Sequence, residues 1–274
     1  MIIKQRTRIC LTTLAVILIM VMVSGCSSQS PTHLRVMSYN IHHGEGTDGR
    51  FDLRRLARVI RKADPDLVSL QEVDRRTQRS SGTDQAEELA TLTGMYYAYG
   101  KAIDFQGGGY GVAVLSRYPL DLIEIHALPY TPGYEARVLL LTRIHAPGIS
   151  DLYFGATHLQ HNLEEDRIAQ AGEIVIATSD KNVVNGPVIL AGDFNAQPDE
   201  PPMKILKLWF EDAAGNNPQP TWPSSEPRVR IDYVLLKPGD DFQVLQTEIP
   251  DEPVASDHLP LVTDITYRKS TKQH

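Results

Sequence analysis

The chain has 274 residues, a formal net charge of −7 and 42% hydrophobic residues, enough for a sizeable core in one large domain or two small ones. The acidic balance argues against non-specific nucleic-acid binding, which needs an excess of Lys and Arg to meet phosphate. Only Cys10 and Cys26 occur, both near the N-terminus, so the folded domain is expected to hold neither an internal disulfide nor a thiolate metal site.

Lys4, Arg6 and Arg8 form a positive stretch and Leu11 to Val23 an apolar one, too short to span a bilayer comfortably. Val23-Ser24-Gly25-Cys26 resembles a bacterial lipobox. Residues 1–25 therefore read as a lipoprotein signal peptide, with Cys26 as the lipidated residue. Cleavage there removes three positive charges and no negative one, taking the net charge from −7 to −10. Residues 26–33 read as a polar tether, 34–268 as one catalytic domain and 269–274 as a polar tail.

Leu34 to Asn40 reads as a strand running into the loop Ile41-His42-His43-Gly44-Glu45-Gly46. Asp52 to Ala63 predicts an amphipathic helix with Leu53, Leu56, Ala57 and Ile60 on one face. Its Arg54, Arg55, Arg58, Arg61 and Lys62 read as a solvated face rather than a nucleic-acid patch, because they lie opposite the apolar stripe. Leu67 to Leu70 is a strand delivering Gln71 and Glu72. Asp84 to Thr93 is a second helix, with Asp84 and Glu87 spaced as a capping box and Gly94 as its stop. Strands follow at Tyr96 to Tyr99 and, after the turn Gly107-Gly108-Gly109-Tyr110-Gly111, at Val112 to Leu115. That turn lacks the spacing and the following helix of a nucleotide-binding fingerprint.

Further strands are predicted near Leu122 to Ile125, Val138 to Ile144 and Leu152 to Ala156, the last delivering Thr157 and His158. Glu164 to Thr178 is a long helix. Val188 to Leu190 is a buried strand running through Ala191 and Gly192 to Asp193 and Asn195. These two positions, spaced i and i+2, are expected to project together. Ile205 to Phe210 reads as a short helix. Strands Ile231 to Leu236 and Phe242 to Thr247 precede Ser256-Asp257-His258, and Val262 to Tyr267 closes the domain. No internal repeat is visible. Strands outnumber helices and both are spread along the chain, which predicts an α/β protein of packed sheets carrying outer helices.

Polar residues recur directly after apolar runs: Asn40, Glu72, His158, Asp193, Asn195, Asp232, Asp257 and His258. Carboxylate and amide oxygens without thiols suit a hard cation, Mg²⁺ or Mn²⁺. Histidines beside carboxylates suit proton transfer or stabilisation of developing negative charge.

Seven ordered motifs carry a resemblance. They are Ser38-Tyr39-Asn40-Ile41; Leu70-Gln71-Glu72-Val73; Gly109-Tyr110-Gly111-Val112 with Leu115-Ser116-Arg117; Thr157-His158-Leu159; Gly192-Asp193-Phe194-Asn195; Arg230-Ile231-Asp232-Tyr233; and Ser256-Asp257-His258-Leu259-Pro260. In these the chain resembles the endonuclease/exonuclease/phosphatase superfamily of DNase I-like nucleases, apurinic endonucleases, inositol polyphosphate 5-phosphatases and bacterial sphingomyelinases.

The resemblance implies a four-layer α/β sandwich, two packed mixed β-sheets flanked by helices, and Mg²⁺-dependent phosphoester hydrolysis. It implies Glu72 as a metal ligand, with Asn40 beside it and Asp257 as a further ligand. Asp193 would orient or deprotonate the attacking water, and Asn195 would hold a phosphate oxygen. His258, fixed by Asp232, would contact the phosphoryl group. His158 would be a second phosphate contact or acid, and Tyr110 would lie against the phosphate. Arg137 reads equally as a phosphate contact or a strand-edge ion pair. His42 and His43 read as lining the mouth, not as ligands. His161, Arg167 and Gln170 read as loop and helix packing, and Trp222 and Tyr134 as an aromatic rim or core cover.

Composition and anchor favour a small phosphomonoester or phosphodiester as substrate, with a monomeric enzyme held at the cell envelope, on the outer membrane of a Gram-negative cell, by its lipid. Stable nucleic-acid binding is not expected. A nuclease, a sphingomyelinase-type phospholipase and a non-enzymatic binding module are the alternatives.

Overall fold

A computed structural model describes residues 31–215, 219–239 and 241–268. The predicted signal peptide, Cys26, most of the predicted tether and the tail 269–274 lie outside the described residues.

Two six-stranded mixed sheets pack face to face. The first holds, in spatial order, β11 (Phe242–Glu248), β12 (Leu261–Tyr267), β1 (Thr32–Asn40), β2 (Leu67–Arg75), β4 (Gly108–Ser116) and β3 (Tyr96–Phe105). The second holds β5 (Leu120–Ala127), β6 (Val138–Ile144), β7 (Leu152–His158), β8 (Val188–Asp193), β10 (Asp232–Leu236) and β9 (Glu211–Asp212). Helices α1 (Leu53–Ala63) and α2 (Gln85–Thr93) cover the first sheet, and α3 (Glu164–Ser179) and α4 (Pro201–Leu206) the second. The fold is the expected four-layer sandwich.

Three apolar layers hold it together. Val36, Leu67, Val114, Leu140, Phe154, Ile189, Val234 and Ile265 fill the space between the sheets. Leu56, Ile60 and Leu89 seal the helices to the first sheet, and Ile174, Met203 and Leu206 seal those on the second. Strands buried on both faces need continuous apolar sequence, which is why the runs at Val188 and Leu152 are so legible.

Helix ends follow local chemistry. The Asp52 carboxylate accepts from Arg55 N at 2.9 Å and Asp64 closes α1 in a left-handed conformation. Asp84 accepts from Glu87 N at 3.4 Å and Gly94 closes α2. The basic face of α1 is a solvated, ion-paired face as expected: Arg55 clasps Asp48 and Lys62 reaches Glu252 at 2.7 Å. Three expectations shift. β1 begins at Thr32, inside the stretch read as tether. β2 and β3 run well beyond their apolar cores, to Arg75 and Phe105. The short helix expected at Ile205 to Phe210 lies instead at Pro201–Leu206, because paired prolines preset the first helical turn.

The sheets repeat each other although the sequence does not. In each, a central parallel pair (β1 with β2, β7 with β8) is joined through a helix and flanked by antiparallel strands in matching order. The C-terminal ends of both parallel pairs therefore meet at one rim of the sandwich, the place where α/β folds put their ligands.

One surface contact ties β5 to α3. His126 lies 2.9 Å from Glu124 on its own strand and 2.7 Å from Glu173 on the helix. Partial burial lowers the imidazole pKa, but the two carboxylates outweigh it and raise the pKa above its ordinary value. A pKa raised by folding means that the contribution is full below the unfolded value of about 6.5 and is lost as pH rises through the folded one. Thermal unfolding of wild type and His126→Gln should differ most below the unfolded value of about 6.5 and converge as pH rises through the raised folded value. A constant difference across that range would show that the contact does not titrate.

Candidate active site

Register places the charged residues side by side. His158 at the end of β7 is level with Asp193 at the end of β8, and Asp193 is directly opposite Asp232 at the start of β10. From the other sheet, Asn40 ends β1 and Glu72 sits on β2. The loop before β12 brings Asp257 and His258. The expected residues thus converge from both sheets.

Asp193 is their hub, only 1% exposed. Its carboxylate accepts from Asn40 Nδ2 at 3.1 Å and from Asn195 N at 2.9 Å. His158 Nε2 lies 3.3 Å from it and His258 Nε2 3.7 Å. Burial pushes its pKa up to about 7, with Asp232 adding to the rise and His258 opposing it. The i, i+2 expectation for Asp193 and Asn195 holds by a different route. The strand stops at Asp193, and Asn195 enters the left-handed region (φ 47°), so an Asx turn rather than strand alternation brings them together.

His258 lies between two carboxylates. Its Nδ1 is 3.0 Å from Asp232 Oδ2, and Asp232 is fully buried. Burial alone would lower the imidazole pKa, but Asp232 and Asp193 raise it to about 10, so the ring is an imidazolium at neutral pH. His158 is the opposite case. Arg137 Nη1 lies 3.2 Å from its Nδ1 and Asn195 Nδ2 lies 2.9 Å from its Nε2. Arg137 can only donate, so Nδ1 accepts and the ring is not an imidazolium, its one proton lying on Nε2 toward Asp193; burial, with the Arg137 cation beside it, drives the pKa well below its ordinary value. The buried Arg137, 2.7 Å from Glu135 and 3.2 Å from His161 Nδ1, is part of this cluster rather than a strand-edge pair.

Glu72 reaches the site through a distortion. The β2–β4 register slips between Leu70 and Val73, and Glu72 adopts φ 58° within that bulge. Burial raises its pKa, but His43, His158 and Asn40 together hold it well below the usual carboxylate range. Asn40, expected beside a metal, bonds through both amide atoms: Nδ2 also donates to Glu72 at 3.1 Å, and Oδ1 accepts from His42 N at 3.0 Å. It orients Glu72 and Asp193 together. Next to it, His42, His43 and Gly44 form a turn with φ of 43°, 44° and 91°. Left-handed backbone costs roughly 1–2 kcal/mol per non-glycine residue and is rarely consecutive. Gln85 Nε2 donates to His43 O at 2.6 Å and helps hold the turn.

These groups line a pocket of about 310 Å³. Glu72, Tyr110, His158, Asp193, Asn195, Asp257 and His258 face it, while Asn40 and Asp232 lie behind the lining. Trp222 forms one wall, its Nε1 donating to Asp257 Oδ2 at 3.4 Å, whereas Tyr134 is not in the lining. Arg167 and Gln170 do pack as expected, bonding Gln160. His161 joins the pocket instead, with Glu135 and Ile231, which the sequence reading passed over. The Glu135-Ala136-Arg137 triplet was the available signal for Glu135, since i and i+2 in extended backbone share a face.

A model of the endonuclease/exonuclease/phosphatase family matches residues 37–258. The uncharacterized protein YbhP of Escherichia coli (strain K12) is 30% identical over 247 residues, covering 84% of this chain and 95% of that protein. The crystal structure of an endonuclease/exonuclease/phosphatase from Beutenbergia cavernae DSM 12333 is similar at 29% identity and a TM-score of 0.71, over 86% of this chain and 72% of that one. The mannosyl-6-phosphatase Bt3783 of Bacteroides thetaiotaomicron VPI-5482 shares the fold at 18% identity and a TM-score of 0.64, over 85% of this chain and 99% of its own.

The two central histidines should be distinguishable in solution. In ¹⁵N-histidine NMR spectra at neutral pH, His258 should carry protons on both ring nitrogens and His158 on one. Asp232→Asn should return His258 toward an ordinary titration near about pH 6.5. A neutral His258 in the wild type would contradict the charge arrangement.

Proposed function

This chain belongs to the endonuclease/exonuclease/phosphatase family, and from that premise and the site geometry we propose that it is a divalent-metal-dependent phosphoesterase acting on a small phosphomonoester or phosphodiester. The observation that carries the reading is the buried sequence of charges Asp232, His258 and Asp193 opening onto a pocket that also holds Glu72.

Asp193 is suited to accept a proton from the attacking water, because a base with a pKa of about 7 is available at neutral pH and still strong enough to take the proton. The water would attack in line with the departing oxygen. His258, an imidazolium held by Asp232, would donate to a non-bridging phosphoryl oxygen as negative charge accumulates there. Asn195, neutral His158 and Tyr110 line the same pocket and would position the remaining phosphoryl oxygens. The donor set fits a cation: Glu72 is held anionic and aimed by its bulge, with Asp257 on the same pocket lining. When bound there, Mg²⁺ or Mn²⁺ would supply Lewis-acid neutralisation of the phosphoryl and leaving oxygens.

The small pocket and acidic chain support a compact substrate over a polynucleotide. The lipobox-like Val23-Ser24-Gly25-Cys26 supports export and lipid anchoring at the cell envelope.

The test compares a chromogenic phosphomonoester and phosphodiester with Mg²⁺, with Mn²⁺ and with EDTA, for wild type and His258→Ala. Hydrolysis should require metal and fall about 10²- to 10³-fold in the variant while its circular dichroism is unchanged. Near-wild-type turnover by His258→Ala would overturn the assignment, and the ratio of the two substrates gives the ester class.

A further inference from the structure

We propose that His42 and His43 are metal ligands, and that with Glu72 they make a site for a divalent transition-metal ion. The inference rests on the metal-dependent reading above and goes beyond its oxygen-only donor set. One nitrogen of each imidazole and one Glu72 carboxylate oxygen lie within 4.8 Å of one another. An ion about 2.0–2.2 Å from nitrogen and oxygen ligands reaches all three after small side-chain rotations.

The orientation of the rings is that of ligands. His42 Nδ1 lies 3.1 Å from the Glu45 carbonyl, which can only accept. The ring proton is therefore on Nδ1, and Nε2 keeps its lone pair. His43 is turned the other way. Its Nδ1 is buried and faces Glu72 Oε2 at 3.9 Å, an electrostatic contact longer than a hydrogen bond, and no group among the described residues bonds it. Its Nε2 faces the Glu45 carboxylate at 3.8 Å. His42 thus has the arrangement by which an outer acceptor orients a metal-bound imidazole, while neither nitrogen of His43 is committed to a hydrogen bond. A buried ring nitrogen with no partner is otherwise a cost that the fold has no reason to keep.

The backbone agrees. His42, His43 and Glu72 all have positive φ, on two separate segments. Strain of this kind gathers where side chains must be held for function. All three side chains are partly exposed, which leaves positions for water or a substrate oxygen. Imidazole donors favour Co²⁺ or Zn²⁺ over Mg²⁺, which prefers oxygen and keeps its waters.

The experiment titrates the purified full-length chain with Co²⁺, followed by visible absorption, and separately with Mg²⁺ and Mn²⁺ by calorimetry. His42→Asn and His43→Asn are the variants, since Asn tolerates positive φ, with circular dichroism as the folding check and Glu72→Gln as the reference. Each histidine variant should bind Co²⁺ at least about tenfold more weakly, the lower end of what is lost even with an outer partner of a ligand. The absorption spectrum should change and Mg²⁺ affinity should not. Unchanged Co²⁺ affinity and spectrum in both variants, with binding lost in Glu72→Gln, would overturn histidine ligation and leave metal dependence standing. No binding of Co²⁺, Mn²⁺ or Mg²⁺ by the wild type would overturn both.

Discussion

A carboxylate pair directly opposite across two antiparallel strands is the constraint that the rest of the site answers to. Asp193 and Asp232 face each other in the β8–β10 register, and both are buried. Like charges in such positions repel, and neither has bulk water to screen it. The His258 imidazolium resolves this by reaching both: 3.0 Å to Asp232 and 3.7 Å to Asp193. Removing His258 therefore leaves two unbalanced buried acids, and removing Asp232 frees His258 to lose its proton. The same electrostatics that hold the rim together set the pKa of Asp193, so a substitution that leaves the fold in place still lowers its stability.

Asn40 transmits this arrangement from one sheet to the other. Its amide donates to Glu72 in its own sheet and to Asp193 in the facing one, 3.1 Å each. A second tie, Ser69 Oγ to the Ala191 carbonyl at 2.9 Å, lies deeper in the same seam. Together with the apolar layer, these bonds fix the distance between the Glu72 carboxylate on one sheet and the Asp193 carboxylate on the other. Pre-set spacing of this kind spares the site reorganisation when charge develops.

Much of this was legible in the sequence because buried strands are continuous apolar runs, and a polar residue directly after such a run must stand at a sheet rim. Asn40, His158 and Asp193 were found that way, whereas Asp232 stands at the rim because it opens β10. What the sequence hid were features set by backbone conformation or by tertiary neighbours. Nothing in Leu70-Gln71-Glu72-Val73 announces the bulge that aims Glu72, because bulges depend on strand pairing. Arg137 reads equally as a phosphate contact or a strand-edge ion pair until the fold shows it nearly buried against His158 and His161. The left-handed turn at His42 and His43 breaks local preference, and such breaks concentrate where function overrides propensity. The repeated sheet topology was invisible because only the burial pattern is repeated, not the residues.

The seam between the sheets has a consequence for how such a molecule can change its specificity. His158, Asp193 and Asp232 stand on strand ends locked by register and mutual charge, whereas Trp222, His161 and Glu135 reach the pocket from connecting segments. Connections tolerate exchange and insertion far better than buried strands do. Phosphoester chemistry and substrate choice are thereby carried by physically separate parts of the chain. A lineage built on this frame can trade one ester for another by rebuilding its rim, without reopening the electrostatic problem that the interior has already solved.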